Sequence, residues 1–204
     1  MSWTWTGSAD PSTLDPLRCA LFLISAFILA GAAQTWWFKS PRSARFALPL
    51  DGGRTLRGRR LLGANKTWKG FVVMVPAAMV AFALLATAAR ALPGLSEGLW
   101  PLTPLQYALL GGSAALGFML GELPNSFMKR QLGIAPGSAP TSPWGRWLGF
   151  AVDRLDSIVG MLLALSLLVP VSWRVWLFVL AVGPAIHWLF NVALYALGVK
   201  ARPA

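Results

Sequence analysis

Residues Phe71–Ala89, FVVMVPAAMVAFALLATAA, run nineteen positions without a charged side chain. That is close to the ~20 apolar residues an α-helix needs to cross a bilayer. Bases flank the stretch, with Lys66 and Lys69 before it and Arg90 after it. Four further segments of similar length lie around it. One runs from about Leu17 to Ala33 and on toward Phe38, with Arg18 at the end where its head can snorkel out. Another, Leu105–Leu123, is rich in glycine and carries Glu122 at its close. A third, about Gly149–Val169, has Asp153, Arg154 and Asp156 in its first turns, and the last, Val175–Leu197, holds His187 and Asn191. The expected fold is all-α: a polytopic membrane protein of five transmembrane helices, in one domain over residues 1–204.

Composition supports this. The 204-residue chain is 56% hydrophobic and only 12% charged, whereas soluble domains carry about 25% charged residues. A disordered chain is excluded. The net charge of +11 suggests a nucleic-acid binder until the bases are located, and they sit between the apolar runs. Cys19 is the single cysteine and His187 the single histidine, which excludes a disulfide framework, a thiolate metal site and a multi-histidine centre. The first apolar run is expected to be retained. Asp10 and Asp15 stand where a signal peptide has a basic region, and Gln34-Thr35-Trp36-Trp37 is a poor cleavage context.

Orientation follows from the bases. With the N-terminus outside, the inner face receives fifteen of the eighteen Lys and Arg residues, and the outer face keeps only Arg18, Arg90 and Arg174. By the positive-inside rule the N-terminus is external and the C-terminus cytoplasmic. Trp3, Trp5, Trp36, Trp37, Trp100, Trp144, Trp147, Trp173 and Trp176 fall near the expected span ends, at headgroup depth. Most hydrophilic residues fall in two cytoplasmic loops, about 39–70 and about 124–148, which form the entrance to any site. The expected location is the cytoplasmic (inner) membrane with the site facing the cytoplasm. Arg54, Arg57, Arg59 and Arg60 read as scattered anchors for anionic lipid headgroups. No nucleic acid is expected as a partner, and a homodimer is left open.

The chemistry-bearing residues gather at that face. Asp153 and Asp156 are three apart and share a helix face, with Ser157 joining it and Arg154 turned elsewhere to snorkel. Two such carboxylates repel unless a cation or base lies between them. A hard divalent ion such as Mg²⁺ accepts these oxygens; Arg154 or bases of the first loop are the alternative neutralisers. Glu122, Ser126 and Lys129 align on one face if the helix continues past Pro124, which can kink it or end it. The plain alternative is a Glu122–Lys129 pair. In Gly63-Ala64-Asn65-Lys66-Thr67-Trp68-Lys69-Gly70, free N–H groups at a helix start together with Lys66 and Lys69 can receive phosphate. It lacks the P-loop order, and an interfacial anchor explains it equally. His187, Asn191 and Tyr195 form a polar stripe that either lines a cavity or ties helices together.

Two motifs together carry a family resemblance. Gly121-Glu122-Leu123-Pro124-Asn125-Ser126-Phe127-Met128-Lys129-Arg130, followed by Asp153-Arg154-Leu155-Asp156-Ser157, resembles the signature of integral-membrane CTP:phosphatidate cytidylyltransferases, the CDP-diglyceride synthase superfamily. The short five-helix branch of CDP-archaeol synthases is more similar still, through Asn65–Gly70 and His187–Gly198. The chain departs from the superfamily at Glu122, where Asp is frequent, and at Pro140–Trp147, where a His-Gly-Gly is common. The resemblance implies a transferase that takes CTP and a membrane lipid phosphate (phosphatidate or a prenyl glycerol ether phosphate) and releases pyrophosphate. It implies Mg²⁺ on Asp153 and Asp156, with Glu122 as third ligand or as a residue acting behind them. It also implies triphosphate contacts from Lys129 and Arg130, nucleotide or phosphate contacts from Asn65, Lys66, Thr67 and Lys69, and assistance from Ser126. His187 and Asn191 join the substrate-binding set. A different membrane alcohol phosphate as acceptor, and a lipid carrier or scaffold with an altered site, stay open.

Overall fold

Three of the long helices start in the same way, with a capping oxygen followed by proline. Asp15 accepts from the N–H groups of Leu17 and Arg18 at 2.9 and 3.1 Å and opens α1, Pro16–Lys39. Thr103 and Gln106 form a reciprocal capping box ahead of α3, Pro104–Gln131. Ser142 accepts from Gly145 N–H at 3.0 Å and opens α4, Pro143–Ser166. In each case proline stands at the first helical position, where no N–H is needed. The remaining helices are α2, Trp68–Ala91, and α5, Trp173–Ala196. The computed structural model describes residues 11–136, 138 and 142–199. Trp3, Trp5, Lys200, Arg202 and the side chain of Arg146 lie outside the described residues.

Each helix packs on the next and α5 returns to α1, so the five close into a ring. Tertiary bonds sort the connections by end. Arg18 Nη1 donates to Gly94 and Glu97 carbonyls at 2.6 and 2.9 Å, and Trp100 Nε1 donates to Pro170 O at 2.9 Å. Segments 92–103 and 167–172 therefore share one end with the start of α1. Segment 40–67 lies at the other end, where Lys69 Nζ reaches Phe38 O and Arg59 donates to Gln131 O at the end of α3. The fully buried Leu23, Phe82, Leu110, Leu162 and Leu165 fill the first half of the ring, and Phe22 meets Phe82 edge to face at 5.3 Å.

Helices α1, α2 and α5 are long and apolar enough to cross a membrane. The fold is an all-α membrane architecture, with one small exception described below. Helices α3 and α4 are as long, but Glu122, Lys129 and Arg130 on one and Asp153, Arg154 and Asp156 on the other lower their hydropathy.

Two expectations need correction. The second loop was expected over about 124–148, yet α3 continues through Pro124 to Gln131 and α4 begins at Pro143, leaving 132–142. Proline removes one N–H from the ladder, and the packing of α3 between α2 and α4 holds the helix through it. Asn125, Ser126, Lys129 and Arg130 consequently lie on a helix. The first loop is not a loose run of bases either. It contains a hairpin of β1, Thr55–Leu56, and β2, Arg59–Arg60, in which Thr55 faces Arg60. Arg57 and Gly58 turn it with φ of 52° and 76°, as a two-residue primed turn requires. Arg59 donates to Gln131 O, and Arg60 pairs with Asp51. Both guanidinium groups are engaged in folding the loop.

Candidate active site

Glycines set the site's geometry. Helices α3 and α4 touch backbone to backbone where Gly117 and Gly121 face Gly160: a Cβ on Gly160 would lie 2.8 Å from Gly121 Cα and against Gly117 O. This approach sets Glu122, Asn125 and Lys129 of α3 opposite Asp153, Asp156 and Ser157 of α4. Asn125 Nδ2 donates to Asp153 Oδ1 at 2.6 Å and to Asp156 Oδ2 at 2.8 Å. Lys129 Nζ pairs with Asp153 and lies 2.6 Å from Oδ2. Ser157 Oγ stands 2.9 Å from Glu122 Oε1 and 3.2 Å from Asp156 Oδ1, so its single proton serves one of them at a time.

The first loop supplies the next cation. Lys66 pairs with Glu122. Burial works to lower the Lys66 ammonium pKa, but the Glu122 charge and hydrogen bond, aided by Asp156 and Asp153, outweigh it and hold the pKa above its usual value. The ammonium stays charged. Below this pair a cavity of about 260 Å³ opens inside the ring. Its rim carries Asn65, Lys66, Thr67 and Glu122, its middle Gln34, His187 and Asn191, and its floor apolar groups such as Leu23, Met161 and Val179. Its lining residues on α1 extend from Leu23 to Phe38, about 22 Å of helix.

The residues singled out in the sequence divide accordingly. Asp153 and Asp156 share a face, bridged by Asn125. The simple alternative of a Glu122–Lys129 pair is replaced by Lys66–Glu122 and Lys129–Asp153 pairs. His187 and Asn191 line the cavity, with the His187 ring 5.9 Å from that of Phe118. Ser126 Oγ accepts from Gly63 N–H at 3.2 Å and so ties the first loop to α3. Arg130 is buried beneath the same turn, near Gly63. Lys69 is not brought to the cluster, for its Nζ donates to Phe38 O and lies 4.8 Å from the Phe38 ring centre. Nor does Arg154 snorkel. It is buried, with its guanidinium carbon 3.2 Å from the Phe150 ring centre and Nη1 donating to Phe150 O.

Asn125 has no role in the sequence-based assignment, though its place three residues after Glu122 and four before Lys129 puts it on their face. Among the described residues no group of three or more His, Cys, Asp or Glu side chains is close enough to hold a metal ion. The donor chemistry of the pair is nonetheless suited to one. One nitrogen satisfies an oxygen of each carboxylate, so two anionic oxygens, the donor type hard divalent cations take, face a single point.

A closed ring of helices, three of them long and apolar enough to cross a membrane, thus holds carboxylates and lysines at one end, with Glu122 and Lys66 lining a largely apolar cavity. A family profile described as "CarS-like: CDP-archaeol synthase" matches residues 46–203. The chain belongs to the CDP-archaeol synthase family. It is 39% identical over 162 residues to the CDP-archaeol synthase of Halobacterium salinarum, covering 76% of this chain and 82% of that one. The Thermofilum pendens CDP-archaeol synthase is 31% identical over 198 residues, covering 94% and 84%. A solved structure of an intramembrane enzyme for archaeal membrane lipid biosynthesis superposes with a TM-score of 0.57 at 27% identity, covering 87% of this chain and 95% of that one.

Proposed function

We propose that the α3–α4 cluster is where this chain joins CTP to an isoprenoid glycerol ether phosphate, working from the cytoplasmic side. The family's reaction, CTP-dependent cytidylyl transfer to a membrane lipid phosphate, is this chain's activity. The observation that carries the assignment is the convergence of Asp153 and Asp156 on one Asn125 nitrogen beside Lys129, linked through Ser157 to Glu122, which lines the cavity with Lys66.

An oxygen of the lipid phosphate attacks the α-phosphorus of CTP. The α–β phosphoanhydride bond breaks and pyrophosphate departs with the electron pair. The nucleophile is already anionic, so the protein needs no strong base; its task is to hold two anions together and offset charge on the leaving group. Asp153 and Asp156 would hold Mg²⁺, which supplies neutralisation of phosphate oxygens there. Glu122 orients Asp156 through Ser157 and keeps Lys66 in place. Lys129 and Lys66 contact the triphosphate, and the chains of the acceptor occupy the apolar floor around Leu23 and Val179. Lodging them in the ring spares the cost of drawing each CH₂ into water, about 0.8 kcal/mol.

Purified protein incubated with labelled CTP, Mg²⁺ and a panel of lipid phosphates is expected to yield CDP-lipid, most rapidly from the ether phosphate. Absence of CDP-lipid from every acceptor would defeat the proposal. In steady-state kinetics with CTP, Lys129→Ala and Lys66→Ala are each expected to lose about ten- to a hundredfold in kcat/KM, the equivalent of a charge-assisted contact of ~1.5–3 kcal/mol. Arg42→Ala and Arg45→Ala, on exposed surface, are expected to change it little. Equal small effects at all four would sink this map.

Five spans with the N-terminus external give this site cytoplasmic access. Reporter fusions after Arg60 and Gly133 are expected to read cytoplasmic and one after Leu95 external. An external signal at Arg60 would reverse the orientation.

A further inference from the structure

Asp51 is the one acidic residue of the first inter-helix segment, residues 40–67, and its hydrogen bonds go to Gly53, Arg60 and Leu62 rather than to the α3–α4 cluster. Its side chain is 1% exposed. It accepts from Gly53 N–H at 3.0 Å, from Leu62 N–H at 3.0 Å, and from the Arg60 guanidinium through Nε at 3.3 Å and through Nη2. Burial pushes this carboxyl up, but Arg60 and the two backbone donors prevail and hold it below the ordinary carboxylate range. It is therefore charged at every pH at which a transferase is assayed.

The chain on either side of these bonds leads to Lys66. Leu62 precedes Gly63, whose N–H is held by Ser126 of α3. Gly63 O accepts from Lys66 N–H at 2.9 Å, and Lys66 O accepts from Leu50 N–H at 2.9 Å, one residue before Asp51. Trp68 N–H donates to Leu48 O at 3.0 Å, so the backbone of 48–51 runs beside 66–68. The hairpin is fastened to α3 by Arg59 on Gln131 O and by Gln131 Nε2 on Arg60 O at 3.2 Å. Asp51 is thus the one side chain that ties residues 51–53 to residues 60–62, joining the two flanks of the Gly63–Lys66 turn beside these other bonds, while residues 52–59 are exposed.

We infer that Asp51 is a positioning residue for the transferase site: by gathering Gly53, Arg60 and Leu62 it docks the first loop on the end of α3 and sets Lys66 at the cavity rim. The inference rests on the proposed contact of Lys66 with the triphosphate, and its test separates the two. Asp51→Asn keeps the shape of the side chain and removes its charge. In CTP kinetics it is expected to raise KM about tenfold with kcat within about threefold, as a misplaced binding base would. In a Lys66→Ala background the same substitution is expected to change kcat/KM less than about twofold, because residues acting through one another are non-additive. Limited trypsin digestion at Arg54, Arg57 and Arg59 is expected to quicken in Asp51→Asn, and Asp51→Glu is expected to recover part of the KM. If Asp51→Asn does not fold, Arg60→Gln, which leaves the two backbone donors in place, enters the same cycle. Additive losses in the double variant, or a wild-type KM in the single variant beside a crippled Lys66→Ala, would overturn the inference alone. Full activity in Lys66→Ala would overturn the triphosphate contact and the inference with it.

Discussion

Asp153→Asn and Asp156→Asn are each expected to reduce CDP-lipid formation to background while the helices stay folded. Asparagine has the shape of aspartate and makes no steric demand, and the Asp153 side chain is 45% exposed, so little folding energy depends on it. What changes is charge and donor type. Asn125 at present satisfies an oxygen of each carboxylate with one amide nitrogen. Replacing either carboxylate leaves a neutral carbonyl oxygen that attracts Lys129 and a hard cation much more weakly. Removal of one preorganised electrostatic group from an enzyme site costs about 10²–10³ in kcat, and Asp153→Asn also breaks the pairing that positions Lys129. Chelation of divalent ions is expected to silence the wild type to the same degree. The measurements are initial rates of labelled CDP-lipid formation and thermal melting in one detergent. Near-normal turnover in either variant, or full activity in excess chelator, would remove this pair from catalysis.

The helices were legible because the bilayer imposes a length, and a run such as Phe71–Ala89 meets it with nothing to interrupt it. The face shared by Asp153 and Asp156 was legible for a similar reason, since helical periodicity is local. Partnerships between elements were not. Glu122 and Lys129 are spaced to meet along α3, but the Gly117–Gly160 contact brings α4 so near that Lys129 turns to Asp153, and Lys66 arrives from the first loop to take Glu122. Nothing in the order of residues reveals that approach. Pro124 misled for a related reason. Its local preference is to break a helix, and tertiary packing overrides it. The run of arginines from Arg54 to Arg60 looked uniform, and only the burial of Asp51 separates Arg60, which folds the loop, from the exposed Arg57.

Gly160→Ala is expected to lower kcat by about a hundredfold without touching a polar residue of the site. The added methyl would meet Gly117 O and lie 2.8 Å from Gly121 Cα and 3.1 Å from Gly121 N. All three are backbone atoms of α3 and none can swing aside, so the helices must part. Overpacking of this kind costs ~1–3 kcal/mol of stability, which a ring of five mutually packed helices can absorb and remain folded. The site has no such margin. Asn125 reaches both carboxylates at 2.6 and 2.8 Å, and Ser157 reaches Glu122 at 2.9 Å; a displacement of roughly 1 Å between α3 and α4 breaks these bonds, and misplacement on that scale costs on the order of 10² in rate. Gly112→Ala is the matched control on the same helix. The nearest atoms to its methyl would be in the side chains of Met79, at 3.0 and 3.3 Å, and Val75, at an ordinary contact of 3.9 Å; methionine yields readily, so less than about a threefold loss is expected. Rates measured beside melting temperatures decide the matter. A Gly160→Ala protein that turns over like wild type would show that the α3–α4 approach is dispensable, and with it the geometry on which the assignment of Asn125, Asp153 and Asp156 depends.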